Sequence, residues 1–240
     1  GAAMGVAMLP EGEPRRLQPV VNKFFYGLRS NAIETQRLAL WFAERMLTTR
    51  RPLEEKLTLF WHGHFATGNG KVRDTRMMLR QHEMLRANAA GSFRNLLVGI
   101  LTDPAMLVYL DNGENRRGHP NENFGRELLE LFTMGVGNYT EEDIREAARA
   151  STGWTNDVLE FRFDAASHDD GETTFLGRPA AFHGQAITDT ILDAPVPPAL
   201  IIAQLYRFLA PPTLDAASLP PPAPPFRTRG YGLTPSPPPS

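Results

Sequence analysis

The sequence predicts a mainly α fold: a multi-helical domain of orthogonally packed helices with one small β-hairpin. Three observations predict it. Apolar residues recur at helical spacing in successive segments between Asn31 and Trp154. After Trp154 the pattern switches to a period of two. From Pro211 the chain reads "PPTLDAASLPPPAPPFRTRGYGLTPSPPPS", which holds eleven of the 21 prolines. Proline locks φ and removes an amide donor, so neither helix nor sheet is expected there. The expected organisation is a partly ordered N-terminal extension over 1–30, a helical domain over 31–210 and a disordered tail over 211–240.

The elements follow in order. "NAIETQRLALWFAERML" places Ile33, Leu40, Trp41 and Leu47 near helical spacing, with Ser30 as the N-cap. "RPLEEKLTLFWHGHF" starts a second helix at Pro52 and lines up Leu53, Leu57, Phe60, Trp61 and His64. "DTRMMLRQHEMLRANA" and "GSFRNLLVGIL" come next, then "TDPAMLVYLD", capped by Asp103 with Pro104 in its first turn. The helix after Asn121 ends at Gly135, which suits a left-handed C-cap. In "YTEED", Thr140 and Asp143 form a short-armed capping box, so Glu141, Glu142 and Asp143 have a sufficient role at the positive end of the helix dipole. Gly153 stops that helix. Leu159, Phe161 and Phe163 alternate with Glu160 and Arg162 as a half-buried strand, "HDDG" is a turn, and "ETTFLG" is the returning strand of a hairpin over about 158–176. Helices near Gln185–Asp193 and Pro197–Ala210 close the domain.

Composition excludes several functions. A net charge of −2 argues against nucleic acid as a partner. No apolar run reaches the roughly 18 residues of a membrane span. The absence of cysteine removes disulfides, thiolate nucleophiles and Cys-based metal sites. "GAAMGVAMLPEGEPRR" lacks the basic start of a signal peptide. There is no phosphate-cradling glycine loop, dinucleotide fingerprint or nucleophile elbow.

One helix carries an unusual polar face. Along "NENFGRELLELFTMG", Phe124, Leu128, Leu131 and Phe132 form one face, and Glu122, Asn123, Arg126, Glu127, Glu130 and Thr133 the other. Asn123, Glu127 and Glu130 are spaced to converge, and Arg126 can pair with Glu122 or Glu130. This face is a solvated surface, a buried polar network or a catalytic site. His64 falls on an apolar stripe, where a histidine is commonly a hydrogen-bonded core residue. His168 lies in a turn beside Asp169 and Asp170, while His82, His119 and His183 carry no spacing signal.

"LEEKLTLFWHGHFATG", "DPAMLVYLD", "NENFGRELLELFTMGVGNYTEEDIREAARASTGW" and "HDDGETTFLG" occur in that order. Together they closely resemble the bacterial family catalogued as domain of unknown function 1800, over about 31–210. Relative to that family the N-terminal helical part looks shortened and the end altered, as in a fragment or a variant of the domain. The resemblance implies a mostly helical domain, commonly exported, and a sulfatase-like secreted protein encoded nearby as partner. It draws attention to Asn121, Glu122, Asn123, Arg126, Glu127, Glu130, His64, Trp154, His168, Asp169 and Gly171. Two function classes follow. In the first, a metal-assisted hydrolase or acid–base enzyme, Glu127, Glu130, Arg126 and His168 are catalytic. There Asn121, Glu122, Asn123 and Asp169 bind substrate, and His64, Glu130 and His168 hold a divalent Zn, Mn or Fe. In the second, a non-catalytic export or assembly partner, the same residues form a hydrogen-bonded network. Two departures stand out: Gly125 replaces a usual Ala, weakening the helix by about 1 kcal/mol, and Thr173 replaces a usual Lys.

Overall fold

The computed structural model describes residues 10–12, 18–180 and 184–210. The Pro-rich segment from Pro211, the His183 position and the side chain of Thr173 lie outside the described residues. Ten helices and two small antiparallel sheets form the described part, so the mainly α class holds.

Helix α1 (Gln18–Thr48) starts well before Asn31, so Ser30 is inside a helix and does not cap one. Its register also differs from the expected one. Ile33, Leu40 and Leu47 are exposed, and the side turned to the domain carries Leu38, Phe42 and Trp41. A polar residue, Thr35, shares that inner side, and a hydrophobicity pattern cannot anticipate this. Helix α2 (Pro52–His64) follows Pro52 as expected and buries Leu57, Phe60 and Trp61, while Leu53 stays exposed. The Trp61 indole N–H donates to the Ala89 carbonyl (2.9 Å), satisfying the one polar atom of a fully buried ring. Helices α3 (Asn69–Val72), α4 (Thr75–Asn88), α5 (Phe93–Leu101) and α6 (Pro104–Tyr109) continue the bundle. Phe65, Leu85, Phe93, Leu97, Ile100 and Met106 fill its centre. The Asp103 cap is present, accepting from the Met106 amide at 3.0 Å.

Helix α7 (Glu122–Glu127) runs directly into a π-helical turn over Leu128–Thr133. Thr133 closes that turn by donating to the Leu128 carbonyl five residues back (2.6 Å). Gly135 ends it at φ +75°, as its C-cap role requires. Helix α8 (Glu141–Ala150) opens with the complete capping box: Thr140 Oγ1 accepts from Asp143 N, and Asp143 Oδ2 accepts from Thr140 N. Helices α7 and α8 touch at Gly125. A Cβ there would lie 2.5 Å from the Ile144 carbonyl oxygen and 3.0 Å from the Ala148 nitrogen. Gly125 is therefore not merely a weak helix former; it allows two backbones to meet.

The strands pair differently from expectation. β1 (Trp154–Asp157) pairs with β2 (Glu160–Phe163), and β3 (Thr173–Phe175) with β4 (Arg178–Ala180). Each hairpin closes over a two-residue loop, Val158–Leu159 in the first and Leu176–Gly177 in the second. Leu176 and Gly177 both have positive φ, the geometry whose twist matches paired strands. The strand containing Phe161 thus returns onto residues just before it, and "HDDG" is free to pack elsewhere. Helices α9 (Gly184–Asp193) and α10 (Val196–Leu209) cover the other side of the core through Ile187, Ile191, Ile201 and Leu205. Among the described residues no single helix is long and apolar enough to cross a membrane; α9 and α10 together reach that length, bent by 76°.

Candidate functional site

The asparagines at the start of α7 are bound to backbone. Asn121 Oδ1 accepts from the Asn123 amide, capping the helix, while Asn121 Nδ2 donates to the carbonyls of Leu110 (3.4 Å) and Asp111 (3.1 Å). Asn123 Nδ2 donates to the same Leu110 carbonyl. Behind them lie Asn112 and Asn115, fully buried. Asn115 Oδ1 accepts from Asn121 N (2.8 Å), and its Nδ2 donates to the Ala148 carbonyl (2.8 Å) and to Ser151 Oγ. Asn112 Nδ2 donates to the carbonyls of Ser151 and Trp154. These two residues tie the end of α6 to the end of α8. Sequence reading missed them, although "DNGEN" crowds asparagines into a short connection between helices.

The acidic face divides into two groups. Arg126 is half exposed and binds both carboxylate oxygens of Glu141 (3.3 and 2.9 Å), with Glu122 3.6 Å away. Glu130 accepts from the Tyr139 hydroxyl at 2.8 Å; burial and this carboxylate push the phenol up to about 12. Glu127 is partly buried, and no hydrogen bond or ion pair to it occurs among the described residues. Burial, and then the neighbouring Glu130 charge, hold its carboxyl above the usual glutamate range. Arg126 is committed to Glu141 and Glu122, so loss of Glu127 strands no cation. We expect Glu127→Gln to change stability by less than about 0.5 kcal/mol at neutral pH, with the sign toward gain, in urea unfolding. A loss of about 2 kcal/mol would place Glu127 in an essential network.

His64 meets this helix through the backbone. Its Nε2 lies 3.0 Å from the Phe132 carbonyl oxygen, which can only accept, so Nε2 carries the proton. Burial lowers the pKa of the ring, against the hydrogen bonds it makes to the Phe132 carbonyl and with the Gln204 side chain. Phe60, Trp61, Phe65 and Phe93 surround it.

His168 is held elsewhere, on the end of α8. Its Nδ1 lies 2.9 Å from the Thr152 carbonyl oxygen, which fixes Nδ1 as the protonated nitrogen of the neutral ring. Thr152 Oγ1 lies 3.2 Å from the same nitrogen and also accepts from the Asp169 amide (2.8 Å). Arg117 Nε donates to the His168 carbonyl at 2.6 Å and its Nη2 to Asp170. Arg149 bridges Glu146 and Asp169 and holds the Asp169 carboxyl below the usual range. The "HDDG" turn is therefore pinned by two arginines and a threonine. The buried imidazole lines a cavity of about 370 Å³ whose other walls are Val98, Leu101, Trp154, Phe161 and Phe163, with hydroxyls from Thr102 and Thr188. Phe163 meets the ring edge-on at 5.1 Å.

The structure thus gathers Asn121, Asn123 and Leu110 at one place, Glu127, Glu130 and Tyr139 at a second, and His168, Thr152 and Asp169 at a third. His64, Glu130 and His168 do not share a coordination sphere: His64 is spent on Phe132 and Glu130 on Tyr139, while His168 is held by Thr152. Among the described residues no group of three or more His, Asp or Glu side chains could hold a metal ion.

Fold and geometry define a mainly α domain with a buried imidazole in an aromatic cavity. The chain belongs to the family described as "Protein of unknown function (DUF1800)", whose model matches residues 15–236. That match extends past 31–210 at both ends and takes in most of the Pro-rich segment. No curated protein and no solved structure matches the chain.

Proposed function

We propose that the domain is an acid–base enzyme acting on a compact, largely apolar molecule, with His168 as its proton carrier. The observation that carries this reading is the His168 ring itself. Its Nδ1 is committed to Thr152, so Nε2 is the basic nitrogen of the neutral tautomer, and the ring lies in the wall of an aromatic cavity. A cavity of this kind, apolar with few polar groups, is what small-molecule sites generally look like. In this reading Asp169, Arg149 and Arg117 position the turn, and Trp154, Phe161 and Phe163 hold the apolar part of the substrate.

The test is turnover of an apolar activated ester, p-nitrophenyl butyrate. His168→Gln is expected to lower the rate by at least about 100-fold, with far-UV circular dichroism unchanged. Glu127→Gln is expected to leave it within twofold. Equal rates in wild type and His168→Gln would remove His168 from the chemistry.

For the Asn121–Gly135 face a different observation favours the second reading. The Asn121 and Asn123 side-chain amides both donate to backbone carbonyls, as in a structural network. In the alternative, the domain is a non-catalytic exported partner of a sulfatase-like secreted protein. Co-purification of the two proteins, unaffected by His168→Gln, would support it.

A further inference from the structure

A second cavity, of about 240 Å³, lies between α1, α2 and α4, with α3 at one end. Thr35, Leu38 and Phe42 of α1, His62 of α2, Asn69 of α3, and Met78 and His82 of α4 line it. Among the described residues it shares no lining residue with the His168 cavity.

Two buried polar atoms at this cavity are unsatisfied. Asn69 Nδ2 donates to Thr35 Oγ1 (2.5 Å), which leaves Oδ1 as the acceptor end of the amide. That Oδ1 is fully buried and has no hydrogen-bond partner among the described residues. The Thr35 hydroxyl cannot supply one, because its proton goes to the Asn31 carbonyl at 2.6 Å. His82 is 5% exposed, and its Nε2 is likewise buried without a partner among the described residues. The ring is fixed by aromatic edges rather than by hydrogen bonds, with Phe42 at 4.2 Å and Trp41 at 5.5 Å. Buried polar atoms are almost always paired, and leaving one unpaired is costly. Both atoms belong to side chains that line one cavity, and an occupant toward which those side chains turn would pair them.

The lining defines the occupant's chemistry. Among the described residues no carboxylate, lysine or arginine lines the cavity, which disfavours an ion of either sign. Leu38, Phe42 and Met78 offer an apolar wall. An engineered apolar cavity of about 150 Å³ takes up benzene, so 240 Å³ accommodates one ring with small substituents. Asn69 Oδ1 requires a donor. His82 Nε2 accepts or donates according to its tautomer. We propose that this cavity is a binding site for a neutral, single-ring hydroxylated aromatic molecule. Its ring packs on Phe42 and Met78, its hydroxyl donates to Asn69 Oδ1, and a second polar substituent meets His82 Nε2. Burial, and then the proximity of His62, hold the His82 ring neutral, so it offers such a molecule a lone pair or an N–H without charge.

The experiment is titration of the full chain with phenol, resorcinol and toluene, followed by NMR of the His82 and Asn69 side chains. Phenol and resorcinol are expected to saturate and shift those signals, and toluene to bind at least about tenfold more weakly. His82→Leu is expected to leave the free protein as stable as wild type or more so, and to weaken resorcinol at least about tenfold. Asn69→Leu is expected to do the same for phenol. Should either variant fail to fold, Ala39→Trp replaces it. Ala39 is an exposed residue at the rim of the cavity, and its enlargement should block entry without disturbing a buried atom. His168→Gln should leave these shifts unchanged, which separates this site from the aromatic cavity. Absence of saturable binding, toluene binding as tightly as phenol, or undiminished binding in the Leu variants would overturn the proposal.

Discussion

Gly153→Ala is expected to cost about 3 kcal/mol or more in urea unfolding. Gly153 has φ +75°, a conformation that costs an L side chain about 1 kcal/mol or more. Space adds a second penalty. A Cβ would lie 2.4 Å from the Asp164 carbonyl oxygen and 3.2 Å from His168 N, both backbone atoms. Overpacking of this kind typically costs about 1–3 kcal/mol. The glycine cannot simply move away, because its N–H donates to the Asn115 carbonyl (3.0 Å) and its own carbonyl accepts from Asp164 N (2.8 Å). The segment from Asp164 to His168 must give instead. The variant should therefore also lower ester turnover, through displacement of the His168 ring. A loss below about 1 kcal/mol with turnover intact would mean that this segment shifts freely and does not position the imidazole.

The second large effect is a pH dependence that the wild type conceals. Burial depresses His82 to about 4 from an ordinary 6.5. Between those values the unfolded chain binds the proton and the folded chain does not. Stability therefore falls as pH drops from 6.5 to 4, by about 3 kcal/mol in all, of which about 2 is lost by pH 5. Asp103 has the opposite sign. Burial pushes it up to about 6 from 3.8, against hydrogen bonds from Met106 and Gln81. Below pH 6 the folded state binds the proton first, so stability rises as pH falls, by about 1 kcal/mol at pH 5. Carboxylates held low, such as Glu55 beside Arg86 and Arg45, lose their contribution only further down. His62 and His64, lowered by burial, and Glu127 and Glu146, raised by it, give a background common to all variants. The differences between variants over pH 7 to 5 therefore report the pair. These two groups together should cost the wild type only about 0.5 kcal/mol over this range. Relative to wild type, Asp103→Asn should expose the full His82 loss, and His82→Leu should remove it and leave the Asp103 gain. Parallel profiles in all three proteins would show that neither group titrates this way.

Much of the candidate site was legible as residue types but not as an arrangement. Trp154, His168 and Asp169 were marked by their motifs, and the structure brings His168 and Asp169 onto Thr152. Thr152 itself carried no signal, because its part in the site is a carbonyl and a hydroxyl exposed by the end of a helix. Helical spacing pairs Arg126 with Glu122 or Glu130, but its shortest contact is with Glu141, fifteen residues away, and Glu122 lies further off at 3.6 Å. His82 and Asn69 gave no sequence pattern at all. Their importance lies in partners they lack, which only packing can reveal.

What the sequence determined by itself was local. The capping box at Thr140, the Asp103 cap, the Gly135 terminus and the mainly α class all rest on interactions within about one helical turn. The order of its motifs carried the family as well. Tertiary structure decided what depends on distant backbone. Phe161 returned onto Asn156 because a two-residue loop brings strand ends together at less entropic cost than the longer "HDDG" connection. Gly125 changed from a weak helix former to a point of helix contact because α8 passes 2.5 Å from its missing Cβ. Asn112 and Asn115 became structural because they bond carbonyls more than thirty residues away. A buried polar atom takes its meaning from the partner that packing brings to it or withholds, and that partner is seldom near in sequence.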